Sequence, residues 1–197
     1  MDSSQRTGAW GLIKEDFATH LRHPLDPGFH ALVVHRLGSA IAPDDRGVSR
    51  ALRRLHQFAH RRVSAAYGIE IPPSVRIGRR LSLPHAHGVV FVVGSVIGDD
   101  CVVRHNVTLG AASHEHGGYP TVGDRVHFGP GSIVTGEVKI GDDVRIGPGA
   151  VVITDVPAGS RVLAPVGSIR PPGPGSPPSP RDVVRPSADV TGDARAR

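Results

Sequence analysis

The sequence predicts a mainly β chain: a left-handed parallel β-helix preceded by a small α-helical region. Three observations carry this. From Ile71 to Ile153 aliphatic residues recur in six-residue steps, through Ile71, Ile77, Leu83 and Val89, then after a two-residue slip Ile97, Val103 and Leu109. Beyond a longer loop come Val122, Phe128, Val134, Ile140, Ile146 and Val152, many of these openers being followed directly by glycine. Such a period suits neither an amphipathic helix nor ordinary strands, but it suits a prism in which each step is one strand and one corner. Second, the position two before the opener is small or branched (Val75, Val107, Val126, Ser132, Val138, Val144, Ala150), as a second inward position requires. Third, aromatics are only 4% against 25 glycines and 18 prolines, which fits thin aliphatic layers with no room for rings. The left hand is an exception to the usual right-handed crossover.

Residues 1–10 are expected to be unstructured. A short helix is predicted over Leu12–Thr19, carrying Asp16, and Pro24 and Pro27 then break the chain. A second helix is expected from Phe29 to about Ile41, with Leu32, Val33, Leu37 and Ile41 on one face. After a loop at Pro43–Gly47, Val48–Tyr67 has the clearest helical spacing, in Val48, Leu52, Leu55, Ala59, Val63 and Ala66. Asp155–Ile169 is expected to close the prism as an irregular cap. From Pro171 the composition turns to proline, glycine and serine, too poor in apolar surface to fold. The expected organisation is a disordered 1–10, a helical region 11–68, a β-helix 69–170 and a disordered tail 171–197.

The formal charge of +5 admits a polyanionic partner. The third helix bears Arg50, Arg53, Arg54, His60, Arg61 and Arg62, but without interleaved aromatics or a reading motif, so no nucleic acid is expected. A solvated or subunit-docking face and a phosphate-bearing small ligand fit better. The single cysteine, Cys101, falls two before an opener and is expected in the core. No apolar run approaches the roughly 20 residues of a membrane span, and the N-terminus lacks a signal-peptide layout. Cytoplasmic residence is therefore expected, with no membrane partner.

Chemistry should lie where the repeat is interrupted, at Glu70–Gly88 and at Ala111–Pro120. His85 lies two after Leu83, at an outward corner, and His105 two after Val103, so the pair is expected on one edge, one coil apart. No third ligand shares that register, and no metal is expected. His87, two before Val89, is expected to be structural.

Gly28-Phe29-His30-Ala31-Leu32, Arg36, Gly68-Ile69-Glu70-Ile71-Pro72, Ile77-Gly78-Arg79, His85-Ala86-His87-Gly88 and Val107-Thr108-Leu109-Gly110 form an ordered set. Over about Phe29–Ile169 the chain closely resembles the serine O-acetyltransferases, in their short form found near exopolysaccharide or secondary-metabolism genes. The resemblance implies an acetyl-CoA-dependent acyltransferase, with His85 as general base and Glu70, where the family has aspartate, as its carboxylate partner. It implies direct attack on the thioester, with acetyl-CoA as co-substrate. Gly110, Ala111, Pro130, Arg145 and Pro148 match the contacts with that co-substrate, in the groove between prisms of a homotrimer, or of a dimer of trimers.

The departures fall on the acceptor side. Pro84 replaces the aspartate before the base. Tyr119 replaces a loop histidine, and Gly118 the arginine before it. Asp16 or Asp26 stands in for an early aspartate. Pro84, Tyr119, His105 and Asp16 are thus the expected acceptor-binding set. Serine, and with it cysteine biosynthesis, is the first expectation. A sugar hydroxyl or secondary metabolite is the alternative acceptor, and a non-catalytic trimeric scaffold the alternative without chemistry.

Overall fold

The structure is a computed structural model that describes residues 8–41, 47–112, 118–165 and 167. Three helices come first, α1 (Ala9–Thr19), α2 (Pro27–Ala40) and α3 (Gly47–Tyr67). The carboxylate of Asp26 accepts from the N–H of Phe29 at 2.9 Å and Pro27 opens the first turn, so α2 starts where its cap dictates. Helix α3 stops at Gly68, whose φ of 65° is a left-handed C-terminal turn.

Short strands follow: β1 (Arg76–Ile77), β2 (Val90–Phe91), β3 (Val96–Ile97), β4 (Val102–Val103), β5 (Thr108–Gly110), β6 (Thr121–Val122), β7 (His127–Phe128), β8 (Ile133–Thr135), β9 (Lys139–Ile140), β10 (Arg145–Ile146), β11 (Val151–Val152) and β12 (Arg161–Val162). They form three parallel four-stranded sheets, β1-β3-β6-β9, β4-β7-β10-β12 and β2-β5-β8-β11, the three walls of a left-handed parallel β-helix. In each strand one residue points inward. Ile77, Ile97, Val122 and Ile140 stack in the first wall, Leu83, Val103, Phe128 and Ile146 in the second, and Phe91, Leu109, Val134 and Val152 in the third. All are buried, as are Val75, Cys101, Val107, Val126, Ser132, Val138, Val144 and Ala150 two positions earlier.

The residue three before an opener turns the corner with positive φ, and side chains are admitted there. Arg80, Asp100, Arg125 and Asp143 hold φ of 55° to 59° and stack with alternating sign, Arg80 Nε 2.6 Å from Asp100 and Arg125 Nε 2.8 Å from Asp143. Exposed pairs of this kind contribute little each. One step earlier in the chain, Asp99, Asp124 and Asp142 accept from the backbone N–H of Arg79, Asp99 and Asp124 at 2.7–2.8 Å, giving corner donors a partner on the next coil.

Arg36 fastens the helices to this stack. It is 4% exposed and Asp16 is 0% exposed. Nε of Arg36 donates to Asp16 at 3.0 Å, and its other nitrogens reach the carbonyls of Ile77 at 2.7 Å and Gly78 at 2.6 Å. His20 adds a second tie, its Nδ1 donating to the Asp16 carbonyl at 2.8 Å and its Nε2 accepting from the N–H of Leu83 at 3.2 Å. A Cβ on Gly28 would fall 2.7 Å from Cβ of Leu83, so the first turn of α2 lies directly on the coil that carries His85.

Several expectations are corrected. Phe91, not Val89, is the opener over Leu109, so the two surplus residues fall between Leu83 and Phe91 and not after Val89. Helix α1 begins at Ala9, inside the stretch expected to be unstructured. The buried face of α2 is Gly28, Ala31, Leu32, His35 and Arg36, while Leu37 is exposed. The segment after Ile153 is no irregular cap, because Val156 bridges Ile140 and β12 pairs with β10. The predicted tail, 171–197, lies outside the described residues.

Two predictions concern stability. Arg36→Met leaves the Asp16 carboxylate buried without its partner and should cost about 3–5 kcal/mol in urea denaturation. A loss no larger than that of an exposed arginine would show the clamp to be dispensable. Burial, aided by the charge of Arg36, holds the His35 imidazole down to about 3, so it is neutral in the fold. The unfolded chain binds that proton below about 6.5, so stability is unaffected above this pH and falls as pH drops towards the folded value. His35→Gln should flatten the pH dependence of the unfolding free energy between about pH 6.5 and pH 4.5; an unchanged slope would assign it elsewhere.

Candidate active site

Helix–prism contact and coil register together place His85. The prism chain runs through Leu83, held by His20 and covered by Gly28, into Pro84 and His85. From the other side the register returns at Gly88, whose N–H donates to the carbonyl of Tyr67 at 3.2 Å and whose φ is 64°. His85 and Ala86 are the two residues by which this corner exceeds its neighbours. His85 is exposed and itself left-handed at φ 56°, away from the regular corner position. The same φ recurs at the regular corner residues Arg80, Asp100, Arg125 and Asp143, so what sets His85 apart is its place in the insertion. Ala86 is buried and anchors the bulge.

The shifted register changes which histidines stack. The N–H of Asn106 donates to the carbonyl of His87 at 2.7 Å, Gly131 to His105 at 3.0 Å and Gly149 to Pro130 at 2.9 Å. Tyr67, His87, His105, Pro130 and Pro148 therefore form one corner column. His105 lies beneath His87, not beneath His85 as expected, and His87 is exposed rather than inward. The Tyr67 and His87 rings meet edge-on at 6.2 Å, and the Tyr67 hydroxyl donates to Nδ1 of His30 at 3.3 Å. His30 Nε2 donates in turn to the carbonyl of Pro24 at 2.7 Å, so the link between α1 and α2 borders this corner.

Glu70 sits on the first coil of the third wall, bridged to Val90, with its side chain exposed. Its carboxylate accepts from the Ser64 hydroxyl at 3.4 Å, and among the described residues no hydrogen bond joins it to His85. Arg145 lies on the outer side of the second wall between His127 and Arg161. Burial, then the charges of Arg145 and Arg104, hold the His127 imidazole below its ordinary range.

Gly110 and Ala111 lie at the other end of the third wall. Gly110 pairs with Thr135, whose hydroxyl donates to the Ala111 carbonyl at 3.0 Å. Tyr119 is at that far corner too, packed so closely on Gly94 that a Cβ there would fall 2.5 Å from the ring. Within one chain, Pro84 and His105 thus border His85, while Gly110, Ala111 and Tyr119 stand across the wall. Asp16 is a correction: an inaccessible carboxylate committed to Arg36 meets no acceptor. Burial pushes the Cys101 thiol up to about 12, which removes it as a nucleophile. Among the described residues no group of three or more His, Cys, Asp or Glu is placed to hold a metal, and no helix is long and apolar enough to cross a membrane.

Residues 119–154 match the bacterial transferase hexapeptide (six repeats) family. A serine acetyltransferase of Helicobacter pylori is 43% identical over 116 residues, which is 58% of this chain and 64% of that protein. A soybean serine acetyltransferase solved in complex with serine is 30% identical, with a TM-score of 0.63, over 81% of this chain and 67% of that one. The chain belongs to the serine acetyltransferase family. The serine acetyltransferase of Neisseria gonorrhoeae, also solved with serine, superposes with a TM-score of 0.66 at 30% identity, over 79% of this chain and 66% of that one. The chain spans less than two thirds of the length of the curated family members it matches.

Three features of this family member were not read from sequence. These are the stacking of His87 on His105, the ring of Tyr67 against His87, and Arg104 beside Pro84. A signal for the first existed. Glycine or asparagine stands three before each opener of the third wall (Gly88, Asn106, Gly131, Gly149), and aligning those four moves the slip to its true place.

Proposed function

We propose that this chain is an acetyl-CoA-dependent O-acetyltransferase with L-serine as acceptor, forming O-acetylserine and CoA for cysteine biosynthesis. The observation that carries the reading is His85, an exposed imidazole in left-handed conformation on the two-residue bulge between Leu83 and Phe91. A regular corner needs no such bulge, so the insertion serves to present the imidazole rather than to close the prism. The kinship to serine acetyltransferases, two of them solved with serine, supports the acceptor.

In this reading His85 takes the hydroxyl proton as the serine oxygen attacks the thioester carbonyl carbon. The tetrahedral adduct collapses with cleavage of the carbon–sulfur bond, and the imidazolium returns its proton to the departing thiolate. No acyl-enzyme forms. Glu70, turning from Ser64, orients the ring and stabilises its charged form. Pro130, Pro148 and Arg145 hold acetyl-CoA along the corner column and the second wall, the guanidinium meeting phosphate. Backbone N–H groups at Gly110 and Ala111 stabilise the oxyanion.

Those groups stand across the wall from His85, so the reading includes a homotrimer, possible also as paired trimers, in which one prism's far corner completes its neighbour's site together with Tyr119. Ile133, Val151 and Ile153 on the prism and Leu52, Leu55 and Phe58 on α3 are exposed apolar surface available for such packing. Cytoplasmic residence goes with this reading.

Thiol release from acetyl-CoA in the presence of L-serine tests the proposal. His85→Ala should lower kcat by about 10²–10⁴-fold while acetyl-CoA binding persists. Turnover at the parental rate in that variant would remove His85 as base. Acetyl-CoA binding without serine turnover would shift the acceptor to a sugar or other metabolite hydroxyl, and absence of binding would leave a scaffold.

A further inference from the structure

We propose that Arg104 binds the carboxylate of the acceptor. The inference rests on the acetyltransferase reading and assigns a residue that reading leaves without a role. Ser82 bridges Val102 and the N–H of Val103 donates to the Ser82 carbonyl at 2.9 Å, so Leu83 lies over Val103 and Pro84 over Arg104. Arg104 is therefore one coil from the residue that leads into His85. Its side chain is exposed.

The prism's other corner arginines are occupied. Arg79 pairs with Glu15, Arg80 with Asp100 and Arg125 with Asp143, while the buried Arg36 holds Asp16. Arg104 has no carboxylate partner among the described residues. The acids bordering the same corner have partners other than Arg104: Glu70 is the carboxylate assigned to the His85 ring, and Asp26 accepts from the N–H of Phe29, 3.9 Å from His20. Pro84 and Tyr119 bring no charge. Among the described residues, Arg104 is thus the prism arginine without a carboxylate partner that the register brings nearest to His85.

The chemistry fits in scale. Hydroxyl and carboxylate of serine are two carbons apart, a span comparable with the roughly 4.8 Å between coils, so a hydroxyl at His85 brings its carboxylate over the next coil. The planar guanidinium accepts a carboxylate through two parallel hydrogen bonds, which fixes orientation as well as charge. Arg145 stands on β10, two strands beyond β4 along the second wall, and is left to the phosphates of acetyl-CoA.

Steady-state kinetics on the full chain, with L-serine and with serinol, which keeps the amine and hydroxyl but lacks the carboxylate, test the inference. Arg104→Leu should raise the KM for serine by about 10- to 100-fold, leaving kcat and the KM for acetyl-CoA within about 3-fold. Turnover of serinol should not change, and Arg104→Lys should recover part of the serine KM. An unchanged serine KM in the Leu variant, alongside active parental enzyme, would overturn the inference alone. A rise in the acetyl-CoA KM instead would give Arg104 to the co-substrate and also overturn it. No thiol release by the parental chain with either acceptor would overturn both the acetyltransferase reading and this assignment.

Discussion

Coil-on-coil pairing is the constraint from which everything else in this molecule follows. Each wall is a parallel ladder of two- and three-residue strands, so a residue's neighbour along the prism axis is set by register alone. Inward positions must be apolar because they stack on themselves. Corner N–H groups must find acceptors on the next coil, and Asp99, Asp124 and Asp142 supply them. Like residues recur in columns for the same reason, and a column that mixes His87, His105, Pro130 and Pro148 stands out as one that stacking alone does not demand.

Ala31 and Leu32 join α2 to the apolar core of the prism, and polar groups fix where the helix sits on it. The surface that α2 presents to it includes His35 and Arg36, both buried. A guanidinium reaching two carbonyls of one corner while neutralised by Asp16 gives a contact of defined geometry. A buried ion pair is a poor source of net stability, yet it penalises any other docking that would leave a charge unpaired. Placed here, it fixes where α1 and α2 lie on the first coil, and hence where Pro24, His20 and Gly28 stand around the strand that leads to His85.

This also explains what could be read in advance. Openers and second inward positions were legible because burial in a stack is nearly binary: Val107 or Ile146 could hardly be anything else. The register between Leu83 and Phe91 was not, because Val89 and Phe91 are both apolar and both inward, so hydrophobicity alone cannot tell the opener from the residue two before it. Only the positive-φ requirement at Gly88 separates them. The polar face of α2 was illegible for a related reason, since apolar periodicity does not register a buried arginine or histidine. At the site, His85 stood out in sequence as an outward corner residue within a familiar motif. Asp16 reads as an acceptor contact in sequence because its pairing with Arg36 is a tertiary fact, and chain order does not reveal that Tyr119 stands across a wall from His85.

The bulge at His85 and Ala86 divides the labour of the chain in an unusual way. A surplus of two residues restores the inward–outward alternation, so the coils before and after it never sense it. The reactive loop is thus an insertion in parenthesis. Because the register on either side is kept, exposed residues at this corner can change without altering which coils stack on which. A lineage could lose, regain or retune the site while inheriting the same scaffold unchanged.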